Sequence, residues 1–289
     1  MTASAPLHAP ICGLDWSRPY VMGIVNVTDD SFSGDGLRGD AAAAIALARA
    51  QVAAGADLID LGAESTRPGA APVTPAQEID RLLPVLAGLN DLQTKDGRRV
   101  PISVDTRNAA TMRAVASAGA NIINDISALE GPGSLEAAAE TGLPVVLMHM
   151  QGEPGSMQAA PKYHDVVAEV HAYLAARVEA CIAAGLPQAR IILDPGIGFG
   201  KTVEHNLSLL RHLDRFTNLN CPLLIGVSRK RFLGAVTGEQ DAARRAPASI
   251  AAGLWAVAQG QAAILRVHDV AETAQAVKAW QAIAKPRAL

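Results

Sequence analysis

Short apolar runs closed by a polar or charged residue recur eight times along the chain, at 21–26, 58–64, 102–105, 122–125, 145–149, 191–194, 223–228 and 264–268. They end on Asn26, Glu64, Asp105, Asp125, His149, Asp194, Ser228 and His268, polar ends that a buried strand does not need for its own stability. Ala- and Leu-rich stretches of helical period separate most of them. Asp40 before an Ala-rich stretch to Ala54 and Gly55 after it read as N-cap and C-cap. Thr74-Pro75-Ala76-Gln77 reads as a capping box with proline at the first helical position, opening a helix to about Leu86. The spacing predicts further helices at 108–118, 166–184, 203–213, 248–258 and 270–284. Strands alternating with helices call for a parallel sheet, since each parallel connection needs a crossover. A doubly wound open sheet shows the same periodicity. Eight units with polar strand ends favour a single-domain (β/α)8 TIM barrel, which carries its active-site groups on the C-terminal ends of its strands. Two long polar loops on that face, 28–39 and 65–73, read as lids that move when substrate binds.

The length of 289 residues suits one such barrel, and no linker divides it, so we read 1–19 as an N-terminal extension and 20–289 as the catalytic domain. Hydrophobic residues make up 49% and aromatic residues only 3%, so the core must be built from Ala, Val, Ile and Leu. A net charge of -3 argues against a nucleic-acid partner held by bulk electrostatics. Cys12, Cys181 and Cys221 are scattered, which indicates neither a zinc site nor a disulfide framework. The first twenty residues show no basic start followed by an apolar stretch, and no apolar run reaches the roughly 20 residues of a membrane span. The expectation is a soluble cytoplasmic protein without a membrane partner.

Asp194 ends a buried run and is followed by Pro195-Gly196-Ile197-Gly198-Phe199-Gly200-Lys201, whose glycines let backbone approach a flat ligand closely. A tight turn with Asp as local turn former is the alternative reading of these residues. Asp105, Asn124 and Asp194 would converge on one barrel mouth from strands three, four and six. Two carboxylates and an amide there match a neutral heterocycle with adjacent N–H donors, such as a guanine-like edge. A cationic set follows strands seven and eight: Arg229 and Lys230, then Arg266 and His268, which share a strand face. Arg229 and Arg231 read equally as solvated surface. Arg266 lies inside an apolar run, and a buried guanidinium needs a charged partner, for which pyrophosphate is the candidate at this end of the fold. Asn26 could offer a neutral oxygen to Mg²⁺, or close an Asx-turn with Thr28. His149 reads as a structural histidine.

Met22-Gly23-Ile24-Val25-Asn26-Val27-Thr28 with Asp30-Ser31-Phe32-Ser33 resembles the first signature of the dihydropteroate synthases, and 60–69, Asp60 to Gly69, resembles the second. Val104-Asp105-Thr106, Asn124-Asp125, the 194–201 segment, Ser228-Arg229-Lys230 and Arg266-Val267-His268-Asp269 extend the resemblance from about Tyr20 to Trp280. The resemblance implies a TIM barrel that condenses 6-hydroxymethyl-7,8-dihydropterin pyrophosphate with 4-aminobenzoate, giving 7,8-dihydropteroate and pyrophosphate. It implies Mg²⁺ at Asn26, pterin contacts at Asp105, Asn124, Asp194 and Lys230, and pyrophosphate contacts at Thr66, Arg266 and His268. Arg67, Pro68, Phe199 and Lys230 would surround aminobenzoate, with Lys230, Arg67 and Asp105 as the catalytic set and a homodimer formed through outer helices. Asp29, Ser33-Gly34-Asp35-Gly36 and Arg231 depart from the commoner residues of that family. A pterin-dependent methyltransferase barrel and a non-catalytic pterin-binding protein are the alternatives.

Overall fold

Eight parallel strands pair in sequence order and close on themselves: β1 (Tyr20–Asn26), β2 (Leu58–Gly62), β3 (Ile102–Asp105), β4 (Ile122–Asp125), β5 (Val145–Met148), β6 (Ile191–Asp194), β7 (Leu223–Ile225) and β8 (Ala262–Val267). β8 returns to β1 with Tyr20 opposite Ile264 and Met22 opposite Arg266, so the sheet is a closed barrel, and the open-sheet alternative falls. The computed structural model describes residues 8–28, 40–64, 73–153, 155–259 and 262–284. Alternation along each strand sorts side chains to two sides. Met22, Leu58, Ile122, Val146, Ile192, Leu224 and Ile264 pack together inside the ring. Val21, Ile59, Val104, Ile123, Leu147, Leu193 and Leu265 face outward into the larger core beneath the helices.

Those helices are α1 (Ala41–Ala54), α2 (Pro75–Leu89), α3 (Ala109–Ser117), α4 (Ser134–Thr141), α5 (Val166–Ala183), α6 (Val203–Arg211), α7 (Arg231–Thr237), α8 (Ala246–Ala258) and α9 (Val270–Ala284). Asp40 accepts from the backbone N–H groups of Ala42 and Ala43, and Gly55 ends α1 at φ 116°, as the sequence requires. Thr74 and Gln77 form the reciprocal capping box, but α2 runs on to Leu89 with Pro84 inside it. The pattern does not single out α4 and α7, which are only 8 and 7 residues long and start at Gly133 and Lys230 without a capping bond. The helix expected over 203–213 stops at Arg211, where Leu213–Leu219 tightens into 3-10 turns. Four apolar runs outlast their strands. Glu64, His149, Ser228 and His268 therefore stand on loops, because the strands end at Gly62, Met148, Ile225 and Val267. No described helix is long and apolar enough to cross a membrane.

Residues 8–19, set apart as an extension in the sequence, contribute to the barrel's interior. Ile11 and Leu14 form an antiparallel bridge, and both are buried in the cluster that fills the ring, with Trp16 packed against it. This segment closes the end from which the strands start. Beside it, Asp57 at the head of β2 accepts from both terminal nitrogens of Arg18 at 2.9 and 2.5 Å, from Arg98 Nη2 at 3.0 Å and from the Val21 N–H at 3.0 Å. Asp57→Ala strands that N–H and two cations, and should lower unfolding free energy by about 2–4 kcal/mol, read as a lower urea midpoint at unchanged slope.

Candidate active site

At the C-terminal end of the strands the interior turns polar. Asp60 of β2, fully buried, accepts from Arg266 Nε of β8 at 2.6 Å and from the Asn124 amide of β4 at 3.2 Å, both through Oδ2. Arg266 Nη2 reaches across to Asp105 Oδ2 of β3 at 3.0 Å. A Cβ on Gly62 would stand 3.6 Å from Asn26 Oδ1 and 3.7 Å from Asp105 Cβ, ordinary contact distances, so packing here does not itself demand glycine. Burial pushes the Asp105 carboxyl up to about 7, against the pull of Arg266 and reinforced by the negative charges of Asp60, Glu78 and Asp125.

Asp194, at the end of β6, accepts from the Gly196 N–H at 2.7 Å. Burial raises its carboxyl to about 6, opposed by that N–H and by the charges of Lys230, Lys201 and Arg266. The loop after it depends on glycine at defined points. Gly196, at φ +68°, would place a Cβ 1.8 Å from the His149 carbonyl oxygen, and Gly200, at φ +59°, one 2.4 Å from the Gln151 carbonyl oxygen. Lys201 ties the same two segments together. Its ammonium donates to the carbonyls of Gly196 at 2.9 Å, Phe199 at 3.0 Å and His149 at 3.3 Å, and lies 2.9 Å from His149 Nδ1. Burial and the Lys201 charge press His149 down to about 3, so its imidazole is neutral and Nδ1 accepts.

The loop so held presents the Phe199 ring, over which Lys230 Nζ sits 3.9 Å from the centroid. Burial lowers Lys230 to about 8, with Asp194 opposing. The expectation of a structural His149 holds, while Lys201 has no role assigned from the sequence. The structure makes them the clamp that fixes Phe199 and, through it, the approach to Lys230. A buried lysine that follows a glycine-rich turn is the one signal that pointed there.

On the other side of the mouth, His268 Nδ1 lies 3.0 Å from Ser228 Oγ, which also accepts the His268 N–H at 3.1 Å. Arg229, at φ +57°, directs Nε and Nη2 onto Asp269 at 3.1 and 2.5 Å, which replaces the reading of it as solvated surface. Arg231 starts α7 and is exposed. Burial of Arg266 pointed to an anionic partner, and the structure supplies two carboxylates, Asp60 and Asp105, so burial alone no longer argues for pyrophosphate there. Asp105, Asn124, Asp194, Phe199, Lys230, Arg266 and His268 thus gather at one mouth. Thr66, Arg67, Pro68 and both lid loops, apart from Thr28 and Val73, lie outside the described residues. Asn26 stands at the rim of this mouth, and no group of three or more His, Cys, Asp or Glu residues that could hold a metal occurs among the described residues.

A family profile described as "Pterin binding enzyme" matches residues 22–268. A dihydropteroate synthase of Neisseria meningitidis serogroup C is 51% identical over 277 residues, covering 94% of this chain and 94% of the relative. A Xanthomonas albilineans dihydropteroate synthase solved with 4-aminobenzoic acid superposes with a TM-score of 0.87 at 46% identity, over 98% of this chain and 100% of that one. The same organism's enzyme in complex with 7,8-dihydropteroate gives a TM-score of 0.82 at 42% identity, over 95% and 97% of the two chains.

Proposed function

The chain belongs to the dihydropteroate synthases among the pterin binding enzymes, and from that premise we propose how its own residues divide the reaction. It is a transferase of folate synthesis that joins 6-hydroxymethyl-7,8-dihydropterin pyrophosphate to 4-aminobenzoate. The observation that carries the division of roles is the convergence of Asp105, Asn124 and Asp194, three acceptors from three strands, beside a lysine held over an aromatic ring.

The pterin's ring N–H and amino groups donate to Asp105, Asn124 and Asp194, which orient the ring and favour the cationic form it takes as its exocyclic C–O bond lengthens. His268, Arg266 and Thr66 bear on the departing pyrophosphate. The guanidinium of Arg266 is shared with two carboxylates, so its contribution is smaller than an unshared cation's. Phe199 and Lys230, with Arg67 and Pro68, surround the arylamine, whose nitrogen forms the new C–N bond and loses a proton. Lys230, Arg67 and Asp105 are the catalytic set.

Asn26 fits Mg²⁺: a single neutral oxygen at the rim suits an ion that keeps most of its waters and takes the rest of its ligands from phosphate. When bound it supplies positive charge for the leaving pyrophosphate. We assign the enzyme to the cytoplasm and to a homodimer built through outer helices. Half-exposed Trp255 on α8 and Val236 on α7 support an apolar contact there. Sedimentation equilibrium at micromolar concentration should return twice the mass of 29.9 kDa, and a monomer would remove the dimer from this reading. Pyrophosphate release that requires both the pterin pyrophosphate and 4-aminobenzoate is the expected result for the roles as a whole; folded protein that binds pterin without such release would overturn them.

A further inference from the structure

Asp60 has no task in the scheme above, yet three polar groups of the mouth hang from it. It is fully buried on the inner side of β2, two residues beyond Leu58, which fills the equivalent inward position one layer down. Its Oδ2 accepts from Arg266 at 2.6 Å and from Asn124 at 3.2 Å, and Arg266 passes the connection on to Asp105 at 3.0 Å. Asp60 Oδ1 is buried without a hydrogen-bond partner among the described residues, and so is Oγ of Ser103, its register neighbour on β3. A half-satisfied carboxylate in a barrel core is an expensive way to fill space, and an apolar side chain would pack there at lower cost.

We propose that Asp60 is a positioning residue for the pterin. It orients the Asn124 amide directly and aims the Asp105 carboxylate through Arg266, without touching the ligand itself. With the Asn124 amide nitrogen engaged below by Asp60, the amide oxygen is left for the ligand's donors. With Arg266 anchored from beneath, one oxygen of Asp105 is held and the other is kept for the ring. This inference rests on the pterin roles given to Asp105 and Asn124.

Asp60→Asn keeps the shape and one acceptor but removes the charge; Asp60→Leu removes the acceptor as well. Calorimetric titration of each with 6-hydroxymethylpterin should show a dissociation constant raised roughly tenfold for Asn and roughly a hundredfold for Leu at about pH 8. The KM for 4-aminobenzoate should stay within about threefold, because Phe199 and Lys230 are placed by their contact with one another and by the loop after β6, and neither is hydrogen-bonded to Asp60, Asn124 or Arg266. In both variants the loss of affinity on acidification should begin at lower pH than in the wild type. Asp60 is one of the charges that hold the Asp105 carboxyl up, and the others facing it, Arg266, Lys230, Glu78 and Asp125, are unchanged. Unchanged pterin affinity, or an equal loss for both substrates with the acid limb where the wild type has it, would reduce Asp60 to a packing residue and overturn the proposal. Should the Leu variant fail to fold, the isosteric Asn variant alone decides through its acid limb. Wild-type affinity for the same pterin tests the functional reading separately.

Discussion

Asp194→Ala should abolish measurable pterin binding while leaving the melting temperature within about 3 °C of the wild type. Two opposing effects set the second half of that expectation. The substitution leaves the Gly196 N–H without its 2.7 Å acceptor, which costs stability. It also removes a carboxylate that burial raises to about 6, and an acid whose folded value lies above its unfolded one weakens the fold as pH climbs from about 4 through 6. Above that window the wild type carries the full desolvation penalty and the variant does not. Binding has no such offset, since the ligand's buried donors would face alanine. The same values give a pH dependence for the wild type. Protonating Asp105, at about 7, or Asp194, at about 6, removes its charge and turns one accepting oxygen into an O–H donor, so pterin affinity should fall as pH drops from 7 to 6. Retained affinity in Asp194→Ala, or a flat wild-type profile across that window, would contradict the assignment.

Gly196→Ala should cost more than about 4 kcal/mol and leave little folded enzyme. Its φ of +68° alone is no ground for so large an effect, as Gly97, at φ +78°, shows by comparison. A Cβ on Gly97 would meet nothing within 4 Å, so Gly97→Ala should cost only the left-handed penalty of about 1–2 kcal/mol. On Gly196 the added carbon falls 1.8 Å from a backbone oxygen, that of His149, which cannot swing aside without pulling β5. Moving it would also break the Lys201 ammonium's contacts to both segments, and Phe199 would lose its place under Lys230. Chemical denaturation of the two variants side by side decides the matter. Equal midpoints would mean that the loop after β6 gives way more readily than its contacts imply.

The barrel was legible because each strand repeats the same short statement: an apolar run, a polar end, a turn and a helix. α1 and α2 were legible at their starts because Asp40 and Thr74-Gln77 announce them chemically, whereas α4 and α7 begin at Gly133 and Lys230 with no cap to read. Asp105, Asn124 and Asp194 stood out as polar residues closing apolar runs. Asp60 did not, although it sits inside such a run, because nothing local distinguishes a carboxylate aimed into the barrel from one paired near a strand end. The partners that settle its meaning, Asn124 and Arg266, lie 64 and 206 residues away. His149 was read as structural, but its partner Lys201 was missed for the same reason. Their bond joins segments 52 residues apart, and each looks ordinary without the other. Arg266 shows the converse case: burial correctly demanded an anion, but sequence order hid the two carboxylates that pair with it in the fold.

The segment around Ile11 and Leu14 bears on chemistry at the opposite end of the molecule. It covers the ring from below Met22, Leu58, Ile122, Val146, Ile192, Leu224 and Ile264, the apolar layer that underlies the polar one. Were water to rise from that side, the effective dielectric around Asp60, Asp105 and Asp194 would climb, and carboxyls now held near 7 and 6 would relax toward their solution values. The acidity of the mouth is therefore set in part by residues that precede the first strand and never approach a substrate.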